Sequence, residues 1–271
     1  MKLSKGLVAL GYVFLFLFVW QIVFFIKAQT LSPGETSIEA FMPTPTTVAL
    51  TFVDKHKLII SEFFHTSTKA FLGLVIGIVV SVLMNALFWF RPRARNLFFP
   101  IFLAINSFPI IGFSPLIIMT FGQGSGLSIV FISALICYFP VLISLENALF
   151  SISRDFQELG QIWGASPKRI YYKIQLPLLL PHLFDSLKLA VPASIVGATL
   201  GEWLGSNHGI GRLVVIALYQ LDPGLLYACL LLVLVFSLLV IYLVSVIEKL
   251  FFPWMVLDER LRRRTRESSS T

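Results

Sequence analysis

A chain of 271 residues that is 57% hydrophobic, only 13% charged and has a mean hydropathy of +0.87 lacks the polar surface of a soluble domain of its size. Its solvent is lipid, and its 26 Phe suit helices that face hydrocarbon. The formal charge of +7 could point to nucleic acid, but the placement of the cations, traced below, gives it another origin. Cys137 and Cys229 both sit in apolar runs and read as small packing residues, with no disulfide framework or metal site.

A bilayer core takes about 20 apolar residues of helix. Six runs of that kind predict an all-α membrane protein: Gly6–Ile26, Thr66–Trp89, Leu97–Phe121, Leu127–Ala148, Leu183–Gly205 and Gly224–Leu250. The first follows Met-Lys-Leu-Ser-Lys and resembles a signal peptide. Its apolar stretch is long for one and no small-x-small site follows, so it is read as a retained anchor. The third run is interrupted by Pro109 and Pro115, and the fifth carries Asp185, Lys188 and Glu202. With the N-terminus placed inside, sixteen of the 21 Lys and Arg fall on the cytoplasmic side, so both termini are expected in the cytoplasm. The basic tail, residues 258–271, would then meet anionic headgroups, and no nucleic acid is needed to explain the charge.

The remaining segments are short. A loop of about 38 residues is expected outside between the first two spans, and a second, Ser206–Pro223, before the last. Gly122-Gln-Gly-Ser-Gly126 reads as a tight turn between spans. Residues 1–271 form one transmembrane domain with no internal repeat.

The longest cytoplasmic connection contains Asp155–Pro181, DFQELGQIWGASPKRIYYKIQLPLLLP. Asp155 can cap one short helix whose apolar residues Phe156, Leu159, Ile162 and Trp163 recur at helical spacing. Gly164 can turn left-handed and end it. Ser166 can cap a second helix with Pro167 in its first position, and Leu176-Pro177 disfavours its continuation. On helix signals alone, the alternative reading of this helix–turn–helix is a structured linker that spaces two spans.

Glu158, Gly164 six residues on, Ala165 beside it, then Ile174 and Leu176-Pro177 resemble the EAA loop of ABC importer permeases, with the required nine residues between Gly164 and Ile174. The chain departs from that pattern in having Leu159 and Gly160 where two alanines are preferred. Phe41-Met-Pro-Thr-Pro-Thr-Thr-Val48, Asn106-Ser-Phe-Pro109 and Gly201-Glu-Trp-Leu-Gly205 with Gly209-Ile-Gly211 are similar to segments of the nitrate, sulfonate, taurine and bicarbonate branch, shared by permeases for thiamine-precursor pyrimidines. Asn106 replaces that branch's arginine.

The resemblance implies a type I ABC importer permease fold with a cytoplasmic coupling (EAA) helix, in the bacterial inner membrane. Its implied partners are two cytoplasmic ABC ATPase subunits, a second copy of the permease in a homodimer, and an external substrate-binding protein. The coupling contact would comprise Glu158, Trp163, Gly164, Ala165, Ser166, Leu176 and Pro177. Lys168, Arg169 and Lys173 are read as inside-positive anchors. Asn85, Asn106, Ser107, Pro109 and Glu202 are the candidates for the translocation path, because polar groups in a span are costly and often functional. Glu202 alternatively meets water near the outer end of its span or caps the Asn207–His208 turn. Asp185, Lys188 and Glu146 are read as interfacial.

No cofactor is expected. There is no G-x-x-x-x-G-K-[ST], so ATP hydrolysis belongs to separate subunits. There is also no G-x-S-x-G, and the histidines His56, His65, His182 and His208 show no metal spacing, which argues against an intramembrane enzyme. The rival is a secondary transporter without an ATPase partner. Such proteins usually show a repeat and buried charges at the midplane, which this sequence fits less well. The solute is read as small, either a sulfonate- or nitrate-type anion or a pyrimidine vitamin precursor.

Overall fold

The computed structural model describes residues 19–22, 43–162 and 164–252, with the backbone only for 150–161. The described residues are helical with no strands. In chain order they form α1 (Pro45–Phe90), α2 (Pro92–Ser107), α3 (Ile110–Phe121), α4 (Gly126–Ile162), α5 (Pro167–Ile170), a π-turn (Tyr171–Gln175), α6 (Leu176–Gly205), α7 (Ile210–Tyr219) and α8 (Pro223–Phe251). Four stretches are long and apolar enough to cross a membrane, and the α2–α3 pair makes a fifth when taken as one bent span. Five of the six expected spans therefore have counterparts. The first, Gly6–Ile26, lies outside the described residues apart from a helical piece at 19–22, as does the basic tail.

The packing follows from a stripe visible on α1. Ile59, Glu62, Thr66, Ala70, Gly73, Gly77, Ser81, Asn85 and Phe88 are buried and recur every three or four residues, which is one helical face. The other faces present Leu72, Val75, Ile76, Val79 and Leu83 outward. Small residues inward and large ones outward invert the soluble pattern. In lipid, association rests on close backbone approach, and an interhelical hydrogen bond adds only about 0.6 kcal/mol.

The close approach is against α4, the central helix, which packs along both α1 and α6. A Cβ added to Gly77 would lie 2.5 Å from Cys137 Sγ and 3.2 Å from the Ala134 carbonyl oxygen. On α6, one added to Gly197 would lie 2.7 Å from Ser133 Cα. Ser81 Oγ lies 2.7 Å from both the Gly77 and the Tyr138 carbonyls, and Ser133 Oγ donates to the Ser194 carbonyl at 2.8 Å.

Several boundaries differ from those expected. The long outer loop is half replaced by α1, which starts 21 residues before Thr66. Thr44 accepts a hydrogen bond from the Thr47 N–H at 3.1 Å, and Pro45 occupies the first turn. The polar run Asp54-Lys-His-Lys57 interrupts the apolar signal without ending the helix. The backbone departs from helical angles only at Lys55 (φ −101°, ψ 16°). Lys55 Nζ reaches Asp222 Oδ2 at 2.6 Å, and Asp222 Oδ1 accepts from the Leu225 N–H at 2.9 Å, so the bend of α1 is tied to the cap of α8.

The interrupted third span breaks where Pro109 forces Phe108 out of the α region (φ −83°, ψ 139°), and α2 and α3 meet at 100°. Pro115 is carried inside α3 without a break. Ser206–Pro223, expected as a loop, holds α7, whose ten residues are too few for a span. At the other end, Asp155 does not cap a separate helix. No Pro or Gly lies between Val141 and Leu159, so α4 runs unbroken from Gly126 to Ile162 with Asp155 inside it. Leu176-Pro177 does not stop the following helix either, because the π-turn precedes it and places Pro177 in the first turn of α6.

Replacement of Gly77 by Leu should overfill the α1–α4 contact and cost about 1–3 kcal/mol. A lowered unfolding temperature in detergent would report it, and Leu83→Ala on the outward face should leave that temperature nearly unchanged. Partial burial pushes the Asp222 carboxyl up, but the Lys55 ammonium and the Leu225 N–H outweigh it and hold it below the usual carboxylate range. Its contribution is then complete above the ordinary carboxylate pKa and lost as pH falls through the depressed one. The loss of thermal stability below about pH 4 should shrink in Asp222→Asn.

Candidate functional site

Three groups of residues carry chemistry. The first is the turn after α4. Gly164 has φ +65°, a left-handed conformation that costs a glycine nothing, and a Cβ built there would meet no atom within 4 Å. Ser166 Oγ accepts from the Arg169 N–H at 3.4 Å and Pro167 opens α5, as the sequence predicts. Gly164, Ser166, Lys168 and Arg169 are exposed, as is Ile162 at the end of α4.

The segment re-enters the fold at Ile170 and Tyr171, both buried. The Tyr171 ring sits 6.0 Å from Trp89 and 5.0 Å from Phe90, at the end of α1. Glu158 falls in the last turns of α4, Leu176 and Pro177 open α6, and Trp163 lies outside the described residues.

The second group is near the same end of the bundle. Asn85 Nδ2 donates to Glu146 Oε1 at 3.0 Å, and Arg95 Nε donates to Glu146 Oε2 at 2.9 Å. Arg95 also lies over the Phe99 ring, 5.1 Å from its centroid. Both carboxylate oxygens are thus engaged, and three helices, α1, α2 and α4, are joined at one buried residue. Glu146 is thus buried among helices, and Asn85 faces the packed interior. The α1 stripe turns it inward. Lys188 bonds Asp185 at 2.8 Å and Glu248 at 2.6 Å, linking α6 to α8.

The third group lies at the opposite end. Glu202 is 1% exposed. Its Oε2 accepts from Thr66 Oγ1 at 2.8 Å and from the Gly211 N–H at 3.0 Å, and Lys69 Nζ reaches Oε1 at 3.3 Å. Thr66 Oγ1 accepts the Ile210 N–H at 2.8 Å, and Glu62 Oε2 accepts the Gly209 N–H in a short hydrogen bond. Two carboxylates and a hydroxyl thus satisfy the first N–H groups of α7, where the helix dipole favours negative charge. Gly209 has φ +114°, and a Cβ there would run into the Glu202 carboxylate. The Gly-Glu-Trp-Leu-Gly and Gly-Ile-Gly signature is a packing lock. Glu202 neither meets water nor caps the Asn207–His208 turn, because the bend at Gly209 folds α7 back over it.

Of the path candidates, Asn106, Ser107 and Pro109 are exposed together at the α2–α3 break, whereas Asn85 and Glu202 are held in separate buried clusters. Sequence reading missed Glu62, Thr66, Lys69 and Arg95. Glu62 and Thr66 belong to the α1 stripe and Lys69 follows at helical spacing, and Glu62 was overlooked because the span was started at Thr66.

Lys69→Met leaves the buried Glu202 carboxylate without its cation and should cost about 3 kcal/mol. Adding Glu202→Gln should recover most of it. A double-mutant cycle on unfolding temperatures checks the coupling, and additive effects would separate the two residues.

The comparisons with known proteins agree with this geometry. Residues 73–256 match the family described as binding-protein-dependent transport system inner membrane component. The chain is similar to the formylaminopyrimidine transport permease protein ThiX of Halalkalibacterium halodurans, with 27% identity over 79% of this chain and 85% of that one. It is also similar to the putative aliphatic sulfonates transport permease protein SsuC of Bacillus subtilis, with 24% identity over 79% of this chain and 78% of that one. Among solved structures, a chain of the MetNI methionine ABC transporter shares the fold, with a TM-score of 0.63 at 18% identity, covering 72% of this chain and 97% of that one. The chain is a multi-pass membrane protein and belongs to the permease components of binding-protein-dependent ABC transport systems, which are not themselves enzymes.

Proposed function

We propose that this chain is one of two identical permease subunits of a type I, ATP-driven importer in the bacterial inner membrane. In this reading it has six spans, both termini are cytoplasmic, and the turn at Gly164 seats against a cytoplasmic ATPase subunit. The observation that carries the reading is the turn itself. A left-handed glycine in open space, next to a rigidly capped helix start and an exposed Ile162, suits a surface completed by another chain. The basic residues around it suit the inner leaflet.

The segment 155–181 then acts as the coupling loop. Glu158, Trp163, Gly164, Ala165 and Ser166 make the contact, and Leu176-Pro177 joins it to α6. Closure of two ATPase subunits moves the loop, and the paired permeases alternate between inward and outward access. The solute passes between the two copies, along Asn106, Ser107 and Pro109. Their exposure and the interrupted backbone at Phe108 support this placement. Glu202 and Asn85 we assign to the structure of the subunit. A solute delivered by an external binding protein meets an amide at Asn106, which pairs with the hydrogen-bonding edge of a heterocycle better than with a sulfonate. A small polar heterocycle such as a pyrimidine is favoured over an anion for that reason.

Gly164→Trp should abolish ATP-dependent uptake in membrane vesicles, by at least tenfold, with normal insertion. A cysteine at Ala165 should cross-link to the ATPase subunit in native membranes. Normal uptake in Gly164→Trp at normal expression would remove the coupling role.

A further inference from the structure

The rod Pro167–Gly205 is 39 residues long and helical throughout, yet five of its residues are wound differently. Across Tyr171–Gln175 the bonding widens, and the Leu176 N–H reaches back five residues to the Tyr171 carbonyl. A π-turn holds one residue more than the α-helix around it, and such turns persist where surrounding contacts impose them.

Two further observations fall on the same few residues. Gln175 is fully buried, and neither its Oε1 nor its Nε2 has a hydrogen-bond partner among the described residues. A buried amide of that kind is rare and costly, since both halves lose water and gain nothing. Beside the turn lies a cavity of about 100 Å³, lined by Asn85, Leu145, Tyr171, Leu176 and Leu179 among others. Tyr171 and Leu179, which flank Gln175 in the helix, both face this space. A tightly packed core would hold the winding fixed. Here there is room for Tyr171 and its neighbours to shift.

The ends of the element are also set. On one side, the Ser166 cap and Pro167 fix where the helix begins. On the other, Pro177 has no N–H to exchange, so the run of bonds that must change between the two windings stops there. The buried Tyr171 attaches the upstream half to the end of α1, and the downstream half is α6, packed along α4.

We propose that Tyr171–Gln175 is a register switch that converts displacement of the Gly164 turn into movement of α6, and that the Gln175 amide gains its hydrogen-bond partner in the second register. The unpaired amide makes the described register the less favourable of the two for this side chain. The switch is then poised, and a displacement at the turn tips it. Gln175 is a positioning residue that acts through the winding of the helix. This rests on the coupling reading of Gly164 above.

The test uses the permease co-purified with its ATPase and binding protein, reconstituted in lipid nanodiscs. Backbone hydrogen exchange is measured with and without MgATP and vanadate. Exchange at 171–176 should rise at least tenfold on trapping, and Gln175→Leu should suppress that rise. The same variant should raise the unfolding temperature by several degrees and cut the stimulation of ATP hydrolysis by the binding protein at least tenfold. If exchange changes at Ser166–Ile170 but not at 171–176, or if Gln175→Leu keeps full stimulation, the switch is overturned while the coupling contact stands. If neither segment responds although vanadate traps the ATPase, the coupling reading fails and the switch with it. A lower unfolding temperature in Gln175→Leu would mean that Gln175 already has a partner, and would also overturn the proposal.

Discussion

The structure depends on how closely the backbones of α1, α4 and α6 approach. Helices in lipid gain nothing by hiding apolar surface from one another, so what holds them is dispersion at short range. Gly73 and Gly77 on α1 and Gly197 and Gly201 on α6 lie against α4 at distances that admit no side chain without displacement. The large residues are thereby left for the lipid, and α8 shows the extreme, with only 6% of its most apolar window buried.

Close backbones leave room there for little more than serine hydroxyls, and the buried carboxylates are gathered at the two ends of the bundle. Glu146 joins α1, α2 and α4 at one end, and Glu202 with Glu62 joins α1, α6 and α7 at the other. Glu202 and Glu146 each have several donors, which offsets the cost of burying a charge. The acidic residues of the spans therefore act as rivets. An intramembrane charge invites a functional reading by default, and here the donors around Glu202 hold it in the packing of α1, α6 and α7.

Much of this was legible in the sequence, and the failures share a cause. Apolar runs located the spans that are wholly lipid-facing or central, such as Gly224–Leu250 and Leu127–Ala148. They failed where a helix leaves the hydrocarbon. α1 continues upstream through Asp54–Lys57, and α4 continues through Asp155, because helix propensity and caps, not hydropathy, decide where a helix ends. Gly164 and Ser166 were readable because their roles are local: a left-handed turn and a side-chain cap. The partners of Glu202 and Glu146 were not, since Thr66 and Lys69 lie more than 130 residues away in sequence, and Arg95 lies 51. The π-turn left no signal of its own. Its sequence, YYKIQ, would wind as an ordinary α-helix, so the extra residue is imposed by how Tyr171 and α6 are each held.

The distribution of rigidity then has a direction. With α1, α4 and the ends of α2 and α7 pinned by buried ion pairs and by glycine contacts, a push at the Gly164 turn cannot be absorbed by these helices sliding apart. It must pass along the segment that connects the turn to α6. Within that segment, α5 is capped and Tyr171 is anchored on α1, so the first place where winding, polar satisfaction and packing are all incomplete is Tyr171–Gln175. Compliance placed there lies upstream of Pro181 and Pro192, two further points in α6 where a backbone bond is missing and bending is easier. In the proposed coupling, a displacement entering at the turn reaches α6 as a change in the attitude of the helix, and the close Gly197 and Gly201 contacts with α4 are where we place its pivot.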